Sequence, residues 1–374
     1  VATATANPRN RRNTAAALGF LLPNFLGFLL FTTFPVLFSL VMSFTNWSPK
    51  PTVDLRFVGL DNFVQLVHDR YFWFYFYNTA YFMLGIPLSI AGSLFLAVIL
   101  SKPIRLGDWK VRAGLTLAFA AIGAATALTA WASGNRDAGL LLAVVFALGA
   151  LGVLGGNVVF RTTFYLPHFT AGVALIILWM QLYNPHFGLI NGFLERAFAF
   201  LHVGGELPTW LSSTKSLLGL LPLPDYFNNE GFGLGAREAI MFMGIWTGIG
   251  GNNMLLYLAG ISNIPLELYE AADIDGAGKW AKFRHVTWPQ LAPTTFFIVV
   301  MSTIGGLQGG FEQARVMTQG GPAGITTTLS YYIYTVAFEQ LKLGYASAVA
   351  WVLFVIIFAL TLLNWKYGNR HVNY

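Results

Sequence analysis

NTAAALGFLLPNFLGFLLFTTFPVLFSLVMSFTNWSP, residues 13–49, contains no Asp, Glu, Lys or Arg. A helix crosses the hydrocarbon core of a bilayer with about 20 predominantly apolar residues, so this stretch is long enough to span. Arg9, Arg11 and Arg12 precede it, as in a signal peptide. A cleavable apolar region is only about 7–15 residues long, so the stretch reads as a retained first span behind a basic N-terminal tail at 1–17. Over the whole chain, 56% of residues are hydrophobic and only 10% charged. Soluble proteins carry roughly 25% charged residues, so most of this chain is solvated by lipid.

Seven further runs lack formal charge and are long enough to span: 71–101, 113–135, 138–160, 162–194, 239–266, 285–311 and 343–365. The expectation is an all-α polytopic membrane protein with eight crossings. A ninth uncharged run, 316–338, is not counted. Its first half, Thr318-Gln319-Gly320-Gly321-Pro322-Ala323-Gly324, is turn chemistry, and the apolar remainder suits a short interfacial helix. With the N-terminus inside, the inner segments hold 13 of the 22 basic residues, which orients both termini toward the cytoplasm. Residues 113–156 are rich in Ala, Gly, Leu and Val and read as an added helical hairpin. Residues 184–238 form the longest outer segment, too long for a plain turn.

The net charge of +6 does not point to nucleic acid, because the basic residues are scattered between apolar runs. The absence of cysteine excludes disulfides, thiolate metal sites and cysteine nucleophiles. Ion coupling is disfavoured because none of the eight runs holds an intramembrane carboxylate or lysine. Asp275-Gly276-Ala277-Gly278-Lys279-Trp280 approaches a phosphate loop but lacks its first glycine and places Trp where a magnesium-binding hydroxyl belongs. No metalloprotease helix or nucleophile elbow occurs either. The chain is expected to bind no metal or cofactor, and any energy that it uses must come from a partner.

The inner loop at 261–290 answers that requirement. Within it, residues 264–275 read as a short helix: Ser262 or Asn263 can cap it, Pro265 suits its first turn, and Gly276 can take the left-handed position at its end. A second short helix follows at 279–285. Glu270-Ala271-Ala272, three residues, Gly276, nine residues, Val286, one residue, Trp288 and Pro289 form a spaced pattern. This resembles the inner-loop signature of membrane subunits of binding-protein-dependent ATP-binding-cassette importers, with Val286 and Trp288 replacing isoleucine and leucine. Arg161-Thr162-Thr163-Phe164-Tyr165-Leu166-Pro167, Asn184-Pro185 with Gly188 and Asn191, the 318–322 turn and Gly344-Tyr345-Ala346-Ser347-Ala348 resemble the carbohydrate branch of that family. The likeness covers residues 18–100 and 161–367; the 113–156 hairpin is foreign to its usual six-span members.

The resemblance implies a permease in the bacterial cytoplasmic (inner) membrane. It implies a second homologous permease subunit, two ATPase subunits that bind ATP and Mg, an extracytoplasmic solute-binding protein and a sugar as cargo. The loop helix would dock on the ATPase through Glu270, Ala271, Ala272, Asp273 and Gly276, with Pro289 marking re-entry into the next span. Asn252, Asn253, Thr303, Gln308 and Trp246 are the candidates for the substrate path, since neutral amides, hydroxyls and an aromatic face suit sugars. Polar residues in spans also bond neighbouring helices, which is the alternative for each of them. A stand-alone secondary carrier and a polytopic enzyme acting on lipid-linked sugars are the competing classes.

Overall fold

The computed structural model describes residues 8–102, 109–132, 136–169, 172–202, 204–220 and 231–368. Among them the regular structure is helical, with only two isolated β-bridges. In chain order the helices are α1 (Pro8–Phe28), α2 (Phe34–Met42), α3 (Asp61–His68), α4 (Arg70–Met83), α5 (Gly85–Ser101), α6 (Trp109–Ala132), α7 (Arg136–Gly155), α8 (Asn157–Phe169) and α9 (Gly172–Leu182). They continue with α10 (Leu189–Leu201), α11 (Ala236–Ile249), α12 (Asn252–Ser262), α13 (Leu266–Ile274), α14 (Lys279–Lys282), α15 (Trp288–Gln290), α16 (Ala292–Gln308), α17 (Leu329–Tyr334) and α18 (Leu343–Gly368). The part of the basic tail that is described is already helical, because Pro8 starts α1.

The all-α polytopic class holds, although not every expected crossing is one long continuous helix. Among the described residues, five helical stretches are long and apolar enough to cross a membrane: Ala16–Met42, Arg70–Ser101, Trp109–Ala132, Ala292–Thr318 and Leu343–Lys366. Val158–Phe169 and Gly172–Leu182 make a sixth if the pair, bent by 97°, is one span. The expected 138–160 crossing is α7, whose apolar part is the shorter Leu142–Leu154. The expected 239–266 crossing is two helices, α11 and α12, parted at Gly250 and Gly251. A Cβ on Gly250 would sit 1.9 Å from the Phe164 carbonyl oxygen, so a close backbone approach fixes this break. The uncharged run at 316–338 does not span, as expected, but its apolar half is packed inside the protein: Ile325 and Leu329 have no exposed surface.

The chain divides into two compact units. The first comprises Val1–Phe72 and Tyr332–Ile356. In it, the Asn62 carboxamide donates to the carbonyls of Ser43 and Thr45, each at 2.8 Å, and closes the end of α2. The Asp69 carboxylate accepts from Tyr332 Oη at 2.5 Å and from Tyr345 Oη at 2.7 Å. Burial first, and then the bond to Asp69, hold the Tyr332 hydroxyl above its ordinary range, so it stays protonated and donating. The span Ala16–Met42 has no buried window, and Phe20 and Phe31 are more than four-fifths exposed, as befits residues that face lipid or another chain.

The second unit comprises Trp73–Tyr331 and Ile357–Tyr374. Lipid tails are as apolar as leucine, so its helices associate by close packing rather than by exclusion of water. α5 presents Gly85, Ser89, Gly92 and Ser93 to Met241, Ile245, Gly248 and Ile249 of α11, and Ser93 Oγ donates to the Gly248 carbonyl at 2.9 Å. One core joins Leu94, Ala97 and Leu100 to Met254, Tyr257 and Leu258 of α12 and to Leu291 and Ile298. Another joins Ile176, Tyr183 and Trp210 to Ala239, Ile240, Met243 and Met317. α6 and α7 pair antiparallel, with Phe119 opposite Gly149 and Phe146 opposite Gly123. The two ends of this segment meet: Arg161 donates from Nε at 3.1 Å and from Nη2 at 2.5 Å to the Leu100 carbonyl.

Non-helical backbone in this unit is held by a buried polar network. Arg237 and Glu238, in the first turn of α11, have no exposed surface. The Arg237 guanidinium donates from Nη2 to Asn78 Oδ1 at 2.8 Å and from Nε to the Ile325 carbonyl at 3.2 Å, beneath the rings of Phe74, Tyr77 and Tyr81. Asn78 Nδ2 donates to the Gly324 and Thr327 carbonyls, both at 3.0 Å. Glu238 accepts from Tyr81 Oη, from Leu217 N at 2.8 Å and from Gly235 N at 3.1 Å. The expected outer segment at 184–238 therefore ends in helix, at Ala236, rather than in loop.

Two outcomes follow from this packing. Arg237→Met, which leaves the Asn78 and Ile325 acceptors buried and unpaired, should lower stability by about 3 kcal/mol; thermal unfolding of the detergent-purified chain measures it. Replacing residues 105–158 by a short Gly/Ser linker should leave the rest of the chain membrane-inserted and folded, since Leu100 and Arg161 already adjoin; loss of the protease-resistant core would contradict this.

Candidate coupling loop and translocation cavity

The loop at 261–290 is helical for most of its length. α12 runs to Ser262, whose hydroxyl donates back to the Leu258 carbonyl at 2.8 Å. It does not cap the next helix, as expected from sequence, and neither does Asn263. The N-cap of α13 is Pro265, with no side-chain cap bond. At the other end Gly276 takes φ of 71°, with Gly276 N donating to the Asp273 carbonyl at 3.1 Å and Ala277 N to the Ala272 carbonyl at 2.8 Å. That pair of bonds is a Schellman close, and the left-handed residue that it needs is the glycine. The second short helix begins at Lys279, as read, and continues as a π-helical turn over Phe283–Thr287.

Two side-chain contacts tie α13 to the segment that follows it. Tyr269 Oη and Thr287 Oγ1 lie 2.9 Å apart, and Lys282 Nζ is paired with the Asp273 carboxylate. Glu270, Ala271, Asp273, Gly276 and Pro289 are exposed, and Ala272 is half-buried. Leu266 and Ile274 are exposed as well, at 67% and 87%. α13 thus offers two apolar side chains, a small flat patch at Ala271 and a carboxylate at Glu270, an arrangement suited to a protein groove rather than to water.

The five path candidates do not come together. Asn252 accepts from Tyr165 Oη at 2.9 Å at the start of α12, and Asn253 is next to it. Trp246 is edge-on to Trp179 at 5.5 Å. Thr303 Oγ1 donates to the Val299 carbonyl at 2.8 Å and borders an apolar groove of about 470 Å³. Gln308 is exposed, and its backbone carbonyl accepts from Ser330 Oγ at 2.6 Å.

A different set of residues lines a cavity of about 280 Å³ between α5, α11 and α16. Its polar side chains are Ser89, Ser302, Gln313 and Thr328, and Gly305, Gly306, Gly309 and Gly310 open its wall. Among the described residues, the Ser89 hydroxyl, the Ser302 hydroxyl and the Gln313 amide have no hydrogen-bond partner. Sequence reasoning passed over these three because one serine or glutamine in an apolar run carries no periodic signal. The four neighbouring glycines were the available clue. Beyond the charge-free run, past the break at Gly309 and Gly310, the Glu312 carboxylate faces Gly172 and Arg315 lies over the Phe311 ring at 5.8 Å. Among the described residues no group of three or more His, Asp or Glu could hold a metal ion.

Residues 138–366 match the family described as binding-protein-dependent transport system inner membrane component. The probable ABC transporter permease protein YurN of Bacillus subtilis (strain 168) is 30% identical over 354 residues, covering 93% of this chain and 94% of that protein. The sn-glycerol-3-phosphate transport system permease protein UgpA of Escherichia coli O157:H7 is 28% identical over 319 residues, covering 85% and 82%. A chain in the crystal structure of a bacterial alginate ABC transporter, in complex with an alginate pentasaccharide-bound periplasmic protein, shares the fold with a TM-score of 0.66 at 21% identity, over 98% of both chains. A rigid loop between helical stretches, a small-residue helix interface and these likenesses agree: the chain belongs to the inner membrane components of binding-protein-dependent ABC transport systems, and is a multi-pass permease subunit, a transporter and not an enzyme.

Proposed function

We propose that this permease forms half of an ATP-driven import pathway for a sugar or oligosaccharide. The other half is a second homologous permease. Two ATPase subunits bind ATP and Mg, and an extracytoplasmic binding protein delivers the cargo. Both termini and the 261–290 loop then face the cytoplasm. The observation that carries this reading is α13, an exposed helix closed at Gly276 and braced by Tyr269 with Thr287 and by Asp273 with Lys282. A braced helix moves as one piece, so closure of an ATPase beneath it is passed to α12 and to Trp288–Gln290 ahead of α16 rather than absorbed in a flexible loop. Glu270 supplies a charge for a basic partner, and Ala271 and Ala272 allow close approach.

A sugar as cargo is supported by the alginate pentasaccharide named for the structural neighbour's periplasmic protein and by the lining of the 280 Å³ cavity. Its size is close to the lower end of small-molecule sites, which run to roughly 300–1,000 Å³. Hydroxyl and amide groups without partners suit a polyhydroxy ligand. Asn252, Asn253, Thr303, Gln308 and Trp246 lie outside this cavity and have a part in the path only if cargo passes a second station.

Glu270→Lys and Gly276→Asp should each abolish uptake and weaken co-purification of the ATPase subunits while membrane insertion stays normal. Full uptake with intact assembly in both would overturn the coupling role. Ser302→Trp should fill the cavity and abolish uptake with the ATPases still bound, and Gln313→Ala should raise the KM for uptake about tenfold, the scale of one lost hydrogen bond in a dry site. Unchanged uptake kinetics in both variants would remove the cavity from the path.

A further inference from the structure

An apolar groove of about 490 Å³ runs along one face of α5, lined by Ala91, Leu94 and Val98 and, across from them, by Lys279, Trp280 and Phe283. Through Ala91 and Leu94 it continues into the 470 Å³ groove that reaches Ile86 and Met83. From Ile86 to Val98 the helix rises about 18 Å. One leaflet of the hydrocarbon core is about 15 Å deep, so the groove has the length of a single acyl chain.

Its end at α14 has the chemistry of a membrane interface. Trp280 is 69% exposed and stacks on Phe283 with ring centroids 5.5 Å apart. Aromatic side chains with one wet edge collect at the headgroup level. Lys279 is exposed and has no anionic partner among the described residues, whereas Lys282, three residues on, is committed to Asp273. An apolar helix face could cover the groove but would bring no countercharge to Lys279. A phospholipid with a net negative headgroup satisfies both ends.

We propose that this groove holds one anionic phospholipid, its acyl chain against Ala91, Leu94 and Val98 and its phosphate on Lys279. Trp280 and Phe283 belong to the segment that follows α13, so the lipid braces the loop against the span bundle from the leaflet that the loop faces. The assignment of that leaflet as the cytoplasmic one rests on the proposed function; the site itself does not.

The test is native mass spectrometry of the transporter purified with its partner subunits and exposed to 1-palmitoyl-2-oleoyl phosphatidylglycerol or to the matching phosphatidylcholine. Wild type should retain about fivefold more phosphatidylglycerol, the scale of one lysine at an anionic surface. Lys279→Ala should bring the two lipids to parity, and Ala91→Trp should reduce retention of both, with subunits still co-purifying. Equal retention of the two lipids by wild type, or retention unchanged in both variants, would overturn the proposal. The chain has no cysteine of its own, so Val98→Cys provides a single thiol. Its cross-linking to a second permease in the membrane would assign the groove to a subunit interface instead. Repeating the lipid measurement on the isolated full chain keeps this result separate from the partner assignment.

Discussion

The carbonyl oxygens of Gly324, Thr327 and Ile325 belong to backbone that is not helical, and in a lipid-solvated protein such groups have no water to fall back on. Asn78 and Arg237 supply the missing donors from α4 and α11. Thr79 adds an acceptor for the Leu329 amide at 3.0 Å. Backbone groups left unsatisfied in hydrocarbon cost several kcal/mol each, so irregular segments survive at depth only where protein covers them. The turn-rich segment after α16 can therefore fold inward, and the middle of α4 and the starts of α11 and α17 are tied to one another through it.

A buried arginine is an expensive way to provide two donors, and its surroundings show how the cost is offset. Three aromatic faces lie within 5.1–5.9 Å of the guanidinium, and the neighbouring Glu238 is itself saturated by Tyr81, Leu217 and Gly235. Charge and countercharge sit side by side in one helical turn, each with its own set of hydrogen bonds. Such a network resists deformation, because loosening any member exposes the others unpaired. The small-residue interface of α5 with α11 has the opposite character. Gly85, Ser89, Gly92 and Gly248 make it close but undirected, and one hydroxyl, that of Ser93, fixes its register. The cavity lies against this smooth interface, and the rigid polar network lies at the start of α11.

The loop that follows α12 applies the same economy to motion. It has two bracing contacts and a glycine that lets the chain turn sharply after Asp275. A stiff connector joins α12 to α16 by way of a helix with an exposed face. The two helices that it joins also share the Leu94, Tyr257 and Ile298 core.

Composition and run length alone determined the solvent, the helical class and the place of the loop, because a bilayer demands long charge-free segments and leaves polar residues for the ends. Gly276 was legible as a left-handed terminus for the same local reason: a helix end has few ways to close. The number of continuous spans was not legible, since Gly250 and Gly251 look like ordinary small residues until Phe164 is found against them. Arg237 and Glu238 read as the edge of an outer loop, and Asn78 lies unremarked inside the 71–101 run. Only the tertiary structure brought them together, across more than 150 residues of chain. The path candidates failed to converge for a related reason. A helical run fixes which residues are polar, but the azimuth of each helix, and so which of Ser89, Ser302 and Gln313 share a cavity, is set by packing between helices far apart in sequence.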